Sequence, residues 1–287
     1  MSRVAVNPIQ YWAKVGRSRE VLEQAFAELS AIGFTAVKAD IPDGMTPAQY
    51  RTWLDGYGLA PAVSLFNSRF DETVDIAAET ERAKRFAADQ VELGLDRTMV
   101  SSASLPSRME RPAVGADFSR GRFDLAVENC GVICQVLAAE GLRPLHHSHV
   151  GGVFETEKEI SGLLDTLGAN VIGVGADTGH LRWAGVDPAA FLTRYADRVG
   201  ALHLKDVYPD YLDGRAGELT YREQADSKRL WAEPGLGVLD FDAVLAALPA
   251  DYDGDFMIEV DEPSTATKAE SHEISYAWAQ RVLSTST

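Results

Sequence analysis

The sequence predicts an α/β fold, a parallel (β/α)8 barrel formed by a single domain over residues 1–287. Short β-branched runs alternate with longer amphipathic stretches eight times along the chain. The length and a hydrophobic content of 46% suit one barrel of about 250 residues. No linker, repeat or charge block divides the chain. A doubly wound sheet with a second domain is the alternative.

The strand–helix units follow in order along the chain. The eight predicted strands are 3–7, 35–40, 59–66, 97–102, 142–147, 171–177, 199–206 and 255–261. Three helices between the early strands have recognisable start or stop residues. The first ends at Gly33, the second begins at Thr46 with a proline next to it, and the third runs over 71–94.

Composition excludes several classes of function. Lys and Arg total 27 against 43 Asp and Glu, a net charge of −16 that repels nucleic acid and anionic membranes. The first residues lack a basic segment followed by a long apolar run, so we expect a soluble, cytoplasmic protein. Cys130 and Cys134 lie four apart, which favours a buried helical stripe over a disulfide or a zinc site.

Ionisable side chains occur where the last four predicted strands end, and the active site of such a barrel lies at that end. Strand alternation turns His203 and Lys205 to the same inward face. The same alternation turns Glu259 and Asp261 toward the barrel mouth. Asp177 ends the sixth strand.

The fifth strand ends in "LHHSHVGG", which places His147 and His149 on one face. Four successive strands thus bring His147, Asp177, His203 and Glu259 to one end of the barrel. This mixture of imidazoles and carboxylates suits a divalent metal ion. The alternative is that each is a lone polar residue bonded to a neighbouring loop.

Other side chains have two interpretations each. Lys205 either holds a substrate oxygen or forms a salt bridge to Asp177 or Asp261. His180 and Trp183, expected on a loop after the sixth strand, either bind substrate or pack the loop.

On the first two strands, Asn7 and Lys38 either bind substrate hydroxyl groups or, for Lys38 with Asp40, form a solvated bridge. The glycines of "GVGADTG" do not have the dinucleotide spacing, so we expect Gly173 and Gly175 to serve packing inside the barrel.

The segment 207–237 is much longer than an ordinary connection and contains four aromatic residues. We expect it to be a lid over the active site or a surface for another subunit. Within it, Glu233 is a candidate to approach the metal site.

The motifs "DTGHLRWAG", "HLKDV", "EPGLGVLDF" and "MIEVD" resemble those of the sugar phosphate isomerase/epimerase superfamily, the xylose isomerase-like barrels. The resemblance covers about the C-terminal half. It implies that Asp177, His203 and Glu259 bind one divalent ion, Mn²⁺ or Co²⁺ first and Zn²⁺ or Mg²⁺ as alternatives. Most relatives have a glutamate where this chain has His147, so His147 is either the fourth ligand or an acid/base group.

The resemblance and the extra histidines predict an inosose dehydratase-like lyase acting on a keto-sugar or keto-cyclitol. His147, His149 or Glu259 would remove the proton next to the carbonyl, and a β-hydroxyl would leave. The alternatives are an isomerase or epimerase, the barrel subunit of a 3-keto C-glycoside deglycosidase with a small second subunit, and a non-catalytic sugar-binding barrel. We also expect a homo-oligomer.

Overall fold

The computed structural model describes residues 3–283, and its main sheet is a closed parallel barrel. The strands are β1 (Arg3–Val6), β2 (Ala36–Lys38), β3 (Ala60–Ala62), β4 (Ser64–Ser68), β5 (Arg97–Ser102), β6 (Arg143–His146), β7 (Gly173–Asp177), β8 (Val199–Leu204), β9 (Asp206–Val207), β10 (Trp231–Ala232) and β11 (Asp255–Ile258). Around the barrel the order is β3-β2-β1-β11-β8-β7-β6-β5-β4. The eight predicted strands and the (β/α)8 fold are confirmed.

The third predicted strand, 59–66, is two strands in the structure, because β3 and β4 are separated at Val63. The Val63 N–H donates to Oδ2 of Asp255 at 2.7 Å instead of to a neighbouring strand. β3 pairs with β2, whereas β4 pairs with β5. This one stretch of chain therefore closes the barrel.

Twelve helices surround the barrel within the described residues. They are α1 (Ile9–Trp12), α2 (Arg19–Ile32), α3 (Pro47–Asp55), α4 (Ile76–Glu92), α5 (Pro106–Glu110), α6 (Arg120–Ala139), α7 (Glu157–Leu167), α8 (Thr178–Trp183), α9 (Pro188–Arg194), α10 (Tyr221–Ala225), α11 (Phe241–Ala246) and α12 (Lys268–Val282). Across residues 3–283, none of them has the length and apolar character that crossing a membrane requires. Cys130 and Cys134 lie buried on α6, as predicted.

Helix caps explain both the correct and the incorrect boundaries. Gly33 ends α2 with φ +119°, and Thr46 forms a capping box at the start of α3. The helix predicted from residue 71 begins only at Ile76, because the Asp75 side chain accepts from the backbone N–H of Ala78 and fixes the first turn there.

The stretch after Asp177 was expected to be a loop without a helix start, and this expectation is wrong. Asp177 is the N-cap of α8, and its Oδ1 accepts from the His180 backbone N–H at 2.9 Å. His180 and Trp183 therefore lie on a helix. The aspartate that ends β7 also begins this helix, which fixes its carboxylate at the barrel mouth.

The barrel interior is filled by a small apolar cluster that includes Met99, Leu145 and Met257. Gly173 and Gly175 pack tightly against it, as predicted. A Cβ on Gly173 would lie 2.7 Å from Cδ2 of Leu145, and one on Gly175 would lie 3.0 Å from Cβ of the same leucine. The interior is therefore a packed core below the mouth.

The segment 207–237 contains regular structure. β10 pairs antiparallel with β9, and the short helix α10 follows a Thr220 cap. Leu212, Leu230 and Trp231 are buried in a cluster with Val150, which follows β6. The segment is thus packed against the barrel mouth.

Candidate functional site

Three side chains from successive strands meet at the carboxyl end of the barrel. His147 follows β6, Asp177 ends β7 and His203 lies on β8, and one potential ligand atom from each lies within 4.8 Å of the others. All three are buried. Two imidazoles and a carboxylate at this separation are a donor set that a divalent transition metal ion accepts.

Several polar atoms of this group lack hydrogen bonds. Within residues 3–283, Oδ2 of Asp177 and both ring nitrogens of His203 are buried without a hydrogen-bonding partner. Nδ1 of His203 lies 3.0 Å from Oε2 of Glu259, an ionic contact that is not aligned as a hydrogen bond. Because buried polar groups are normally satisfied, these atoms are suited to binding a ligand.

Lys205 lies at the centre of the carboxylates. Its Nζ is 2.7 Å from Glu259, 2.9 Å from Asp261 and 3.2 Å from Asp177, and the residue is fully buried. The ammonium group donates hydrogen bonds to Glu259 and Asp261, and its contact with Oδ2 of Asp177 is ionic without being aligned as a hydrogen bond. The structure therefore favours the salt-bridge interpretation of Lys205 over a direct contact with a substrate oxygen.

This cluster carries more negative than positive charge. Glu259 and Asp177 raise the pKa of His203 against burial, so in the absence of an ion this ring shares in balancing the carboxylates. With His203 neutral, as a metal ligand must be, three ionised carboxylates and one ammonium leave two negative charges that a divalent ion would neutralise. Burial, together with the neighbouring carboxylates of Glu259 and Asp177, raises the pKa of Asp261 to about 6 against the pull of Lys205. The residues present fit a dication both in ligand type and in charge.

Asn7 and Glu259 connect the first and last strands at this end. The Asn7 side-chain amide donates to Oε2 of Glu259. Burial alone would raise the pKa of Glu259, but His203 and Lys205 hold it well below its usual value. Burial also acts to raise the pKa of Asp177, but Lys205, His180 and His203 together hold it low. Both carboxylates are therefore ionised, and Glu259 borders the three-residue group through His203.

His147 is held in one tautomer. Its Nδ1 lies 3.2 Å from the carbonyl oxygen of Gly175, and a carbonyl only accepts, so Nδ1 carries the hydrogen. Burial, reinforced by His203, lowers the pKa of His147 well below its usual value. A neutral imidazole anchored through Nδ1 leaves Nε2 free for a metal ion, the usual arrangement of a metal-binding histidine.

His149 and His180 form a second pair of imidazoles beside this group. Their ring centroids are 3.8 Å apart, and the His149 ring is 6.1 Å from that of His147. Burial lowers the pKa of both, with Lys205 adding to the effect on His149 and His149 adding to the effect on His180. Both rings are therefore neutral near pH 7.

Aromatic residues cover these imidazoles. Trp231 lies 4.9 Å from the His180 ring and 4.8 Å from Nζ of Lys205, measured to the ring centroid. Tyr221 stacks at 6.3 Å on His149. Trp183 donates its indole N–H to Gln224 at 3.0 Å and is almost fully buried. Trp183 also stacks on the His180 ring at 6.0 Å, so all three aromatic residues contact the imidazoles.

Lys38 lies apart from the three-residue group, on the β2 side of the mouth. It is buried and lines a small cavity with Asn7 and Tyr50. Its Nζ is 3.9 Å from Asp40, which is bound more closely by Arg17. The ion pair that the sequence suggested is therefore present, but its lysine is buried and only its aspartate is partly solvated.

Several residues that shape the site were not singled out from the sequence. A Cβ on Gly179 would lie 2.7 Å from Cγ of Lys205, so glycine gives the lysine stem its space. Asp206 accepts from the backbone N–H groups of Gly235, Gly237 and Leu239 and holds the turn after β10. In the sequence, the glycines of "GLG" were the signal that could have indicated this turn. Glu233, expected near the metal site, accepts from Ser264 instead.

The fold agrees with comparison to known proteins. The family described as xylose isomerase-like TIM barrel matches residues 26–281, and the chain belongs to it. An inosose dehydratase from Geobacillus kaustophilus (strain HTA426) is 27% identical over 266 residues, which cover 89% of this chain and 83% of that protein.

Solved structures show the same fold at lower identity. A xylose isomerase-like TIM barrel protein from Mycobacterium smegmatis, in complex with magnesium, has a TM-score of 0.73 and 15% identity, covering 100% of this chain and 98% of that one. The IolI protein with a bound zinc atom has a TM-score of 0.72 and 14% identity, with 99% of each chain covered.

Proposed function

We propose that this chain is a metal-dependent lyase that dehydrates a keto-sugar or keto-cyclitol. The observation that carries the proposal is the buried group of His147, Asp177 and His203, whose unsatisfied ligand atoms lie beside two neutral histidines. The relatives named inosose dehydratase support a dehydratase acting on a small polyhydroxylated ketone.

The proposed ligands are His147, Asp177 and His203, with Glu259 next to them. Zinc and magnesium in the related barrels support a divalent ion, and we retain Mn²⁺ or Co²⁺ as the first expectation. When bound, such an ion would act as a Lewis acid that stabilises negative charge on the substrate carbonyl oxygen.

Proton removal is assigned to His149. Of the three candidate bases, Glu259 is bound by Asn7 and Lys205, and His147 lies within the ligand group. Nδ1 of His149 lies 2.7 Å from the Val150 carbonyl oxygen and carries the hydrogen, so Nε2 has the lone pair that a base needs. Lys205 positions the carboxylates and holds them ionised.

A defined screen tests this proposal. The protein is incubated with Mn²⁺ and a panel of inososes and keto-sugars, and the products are analysed by mass. We expect one substrate to lose one molecule of water. A product of unchanged mass would indicate an epimerase or isomerase instead, and no turnover with any metal would contradict the enzyme proposal.

We also propose that the segment 207–237 acts as a lid, supported by the contacts of Trp231 and Tyr221 with the site. Shortening the exposed tip over 213–218 should raise the Michaelis constant without changing the mass in solution. A changed mass would indicate that the segment forms a subunit interface. Normal kinetics and normal mass would contradict both roles.

A further inference from the structure

The peptide groups of Val150 bind both histidines of the second pair, and they do so in opposite senses. The Val150 carbonyl oxygen is 2.7 Å from Nδ1 of His149, whereas the Val150 backbone N–H donates to Nδ1 of His180 at 3.3 Å. A carbonyl can only accept and an amide N–H can only donate. The two Nδ1 atoms therefore differ: that of His149 carries a hydrogen and that of His180 does not.

The Nε2 atoms of the two rings consequently have different hydrogen-bonding roles. An imidazole ring carries a hydrogen on at least one nitrogen, so His180, whose Nδ1 accepts, carries its hydrogen on Nε2 and donates from there. In His149, whose Nδ1 carries a hydrogen, Nε2 is the nitrogen that has the lone pair of the proposed base. Both rings lie together, with centroids 3.8 Å apart, beside the proposed ligand group.

The donor on His180 lacks a protein partner. Its Nε2 is buried without a hydrogen bond within residues 3–283, and the carboxylate of Asp261 is 3.8 Å away, which is too far for one. His180 itself is only 1% exposed. A fully buried N–H group without an acceptor is costly, so this donor suits an oxygen of a bound ligand.

We infer that the backbone groups of Val150 give the two histidines different roles. His149 transfers the proton, and His180 donates a fixed hydrogen bond from Nε2 to a substrate oxygen. This inference rests on the proposed function. Because the Val150 N–H occupies Nδ1, His180 cannot gain a second hydrogen there, and a neutral imidazole does not release its only one. It therefore stabilises developing negative charge on the oxygen without exchanging a proton, as a neutral histidine can.

In the proposed elimination, His149 is the only residue that takes up and returns a proton. Nε2 of His149 takes the proton from the carbon next to the carbonyl, and the electron pair of that C–H bond becomes the new C=C bond. The C–O bond to the β-hydroxyl breaks, and its electron pair leaves on oxygen. The departing hydroxide takes the proton back from His149 and leaves as water, while His149 returns to its neutral form.

The tautomers are tested without any turnover. Long-range proton–nitrogen correlation spectra of the intact chain report which ring nitrogen carries the hydrogen, and the His180→Gln variant identifies the His180 signals. We expect a protonated Nε2 and an unprotonated Nδ1 for His180, and the reverse for His149. A hydrogen on Nδ1 of His180 would overturn the inference, whatever the substrate of the enzyme.

Kinetics with the substrate found by the product screen test the division of roles. Removing one such donor typically costs about 100-fold or more in turnover. We expect that loss in His180→Leu, turnover within about 10-fold of wild type in His180→Gln, whose amide can donate, and normal metal content in both. His149→Gln should lose both dehydration and exchange of the α-hydrogen with deuterated solvent.

Near-normal turnover in His180→Leu, or a His180→Gln variant as inactive as His180→Leu, would contradict the role of a fixed donor. Wild-type protein that dehydrates none of the ketones tested would remove the proposed function, and the spectra would still decide the tautomers.

Discussion

The two ends of the barrel both contain charged side chains, but their hydrogen bonding differs. At the amino end, Arg3 makes two hydrogen bonds of 3.0 Å to Asp255, and Arg97 is paired with Asp96 and Asp253. At the carboxyl end, buried atoms of Asp177, His180 and His203 have no hydrogen-bonding partner within residues 3–283. Paired charges stabilise a fold, whereas several buried unsatisfied groups clustered at the carboxyl end of a barrel make a candidate ligand site.

The largest effect should follow from Asp177→Asn at the carboxyl end. Asparagine caps helices about as well as aspartate, so α8 and the barrel should persist. The loss of a charged ligand should weaken metal binding and lower turnover by more than about 100-fold, since even groups behind a ligand contribute 10- to 100-fold. Circular dichroism, bound metal and kcat are measured. Full activity with normal metal content would contradict the assignment.

A smaller kinetic effect is expected from Gly179→Ala, because the new methyl group would displace Lys205. Misplacing a catalytic cluster by about 1 Å can cost about 100-fold in turnover. Gly121→Ala is the matched control, since a Cβ there meets no atom within 4 Å and the residue is also helical. The control should keep its kinetics and gain about 0.5–1 kcal/mol of stability. Equal kinetics in both variants would show that the position of Lys205 does not matter.

At the amino end, Asp255→Asn should affect stability and leave catalysis unchanged. The carboxylate accepts from Arg3 and from the backbone N–H of Val63, so the loss should be about 1–3 kcal/mol in the free energy of unfolding. Urea denaturation and steady-state kinetics measure the two properties. This variant makes the same substitution as Asp177→Asn at the opposite end of the barrel. A fall in kcat/KM at unchanged stability would contradict the claim that the amino end serves stability and the carboxyl end serves catalysis.

The smallest effect concerns a buried histidine outside the site. His272 on α12 is 3% exposed, and its Nδ1 lies 2.8 Å from the Lys268 carbonyl oxygen. Burial lowers its pKa to about 4, although this carbonyl acts in the opposite direction. Between about pH 6.5 and pH 4 the unfolded chain binds a proton that the folded chain does not, so stability falls as the pH falls through this window.

His272→Phe keeps an aromatic ring against Tyr11 and removes this proton. From pH 7 to pH 5 the variant should lose about 1–2 kcal/mol less stability than wild type, and its kinetics at pH 7 should be normal. Urea denaturation at both pH values measures this difference. Parallel losses in the two proteins would contradict the depressed pKa of His272.

The sequence predicts the barrel well because its strands depend on local periodicity. All eight strand regions were predicted, and His203 and Lys205, which alternation turns to one face, both contact Glu259. The break at Val63 was not predictable, since its cause is Asp255, which lies 192 positions further along the chain. The start of α4 was also not predictable, because both Asp71 and Asp75 precede the helix and the sequence does not show which of them caps it.

The residues that reach the barrel mouth were more predictable from the sequence than the hydrogen bonds and ion pairs they form there. Alternation turns a side chain toward the mouth, but hydrogen-bond partners depend on the path of the loops between strands. Three carboxylates surround Lys205 because β7, β8 and the chain after β11 converge. The role of Val150 depends on its backbone, so no side-chain pattern could reveal it. Helix α8 was missed because the aspartate interpreted as a ligand is also its cap.

The central claim is that His147, Asp177 and His203 bind a divalent ion on which activity depends. The most direct test is metal analysis combined with turnover, on wild-type protein stripped with a chelator and then supplied with Mn²⁺, with Asp177→Asn treated in parallel. We predict one ion per wild-type chain, activity that is lost on stripping and restored by Mn²⁺, and neither binding nor activity in the variant. Full turnover by stripped wild-type protein would contradict the claim.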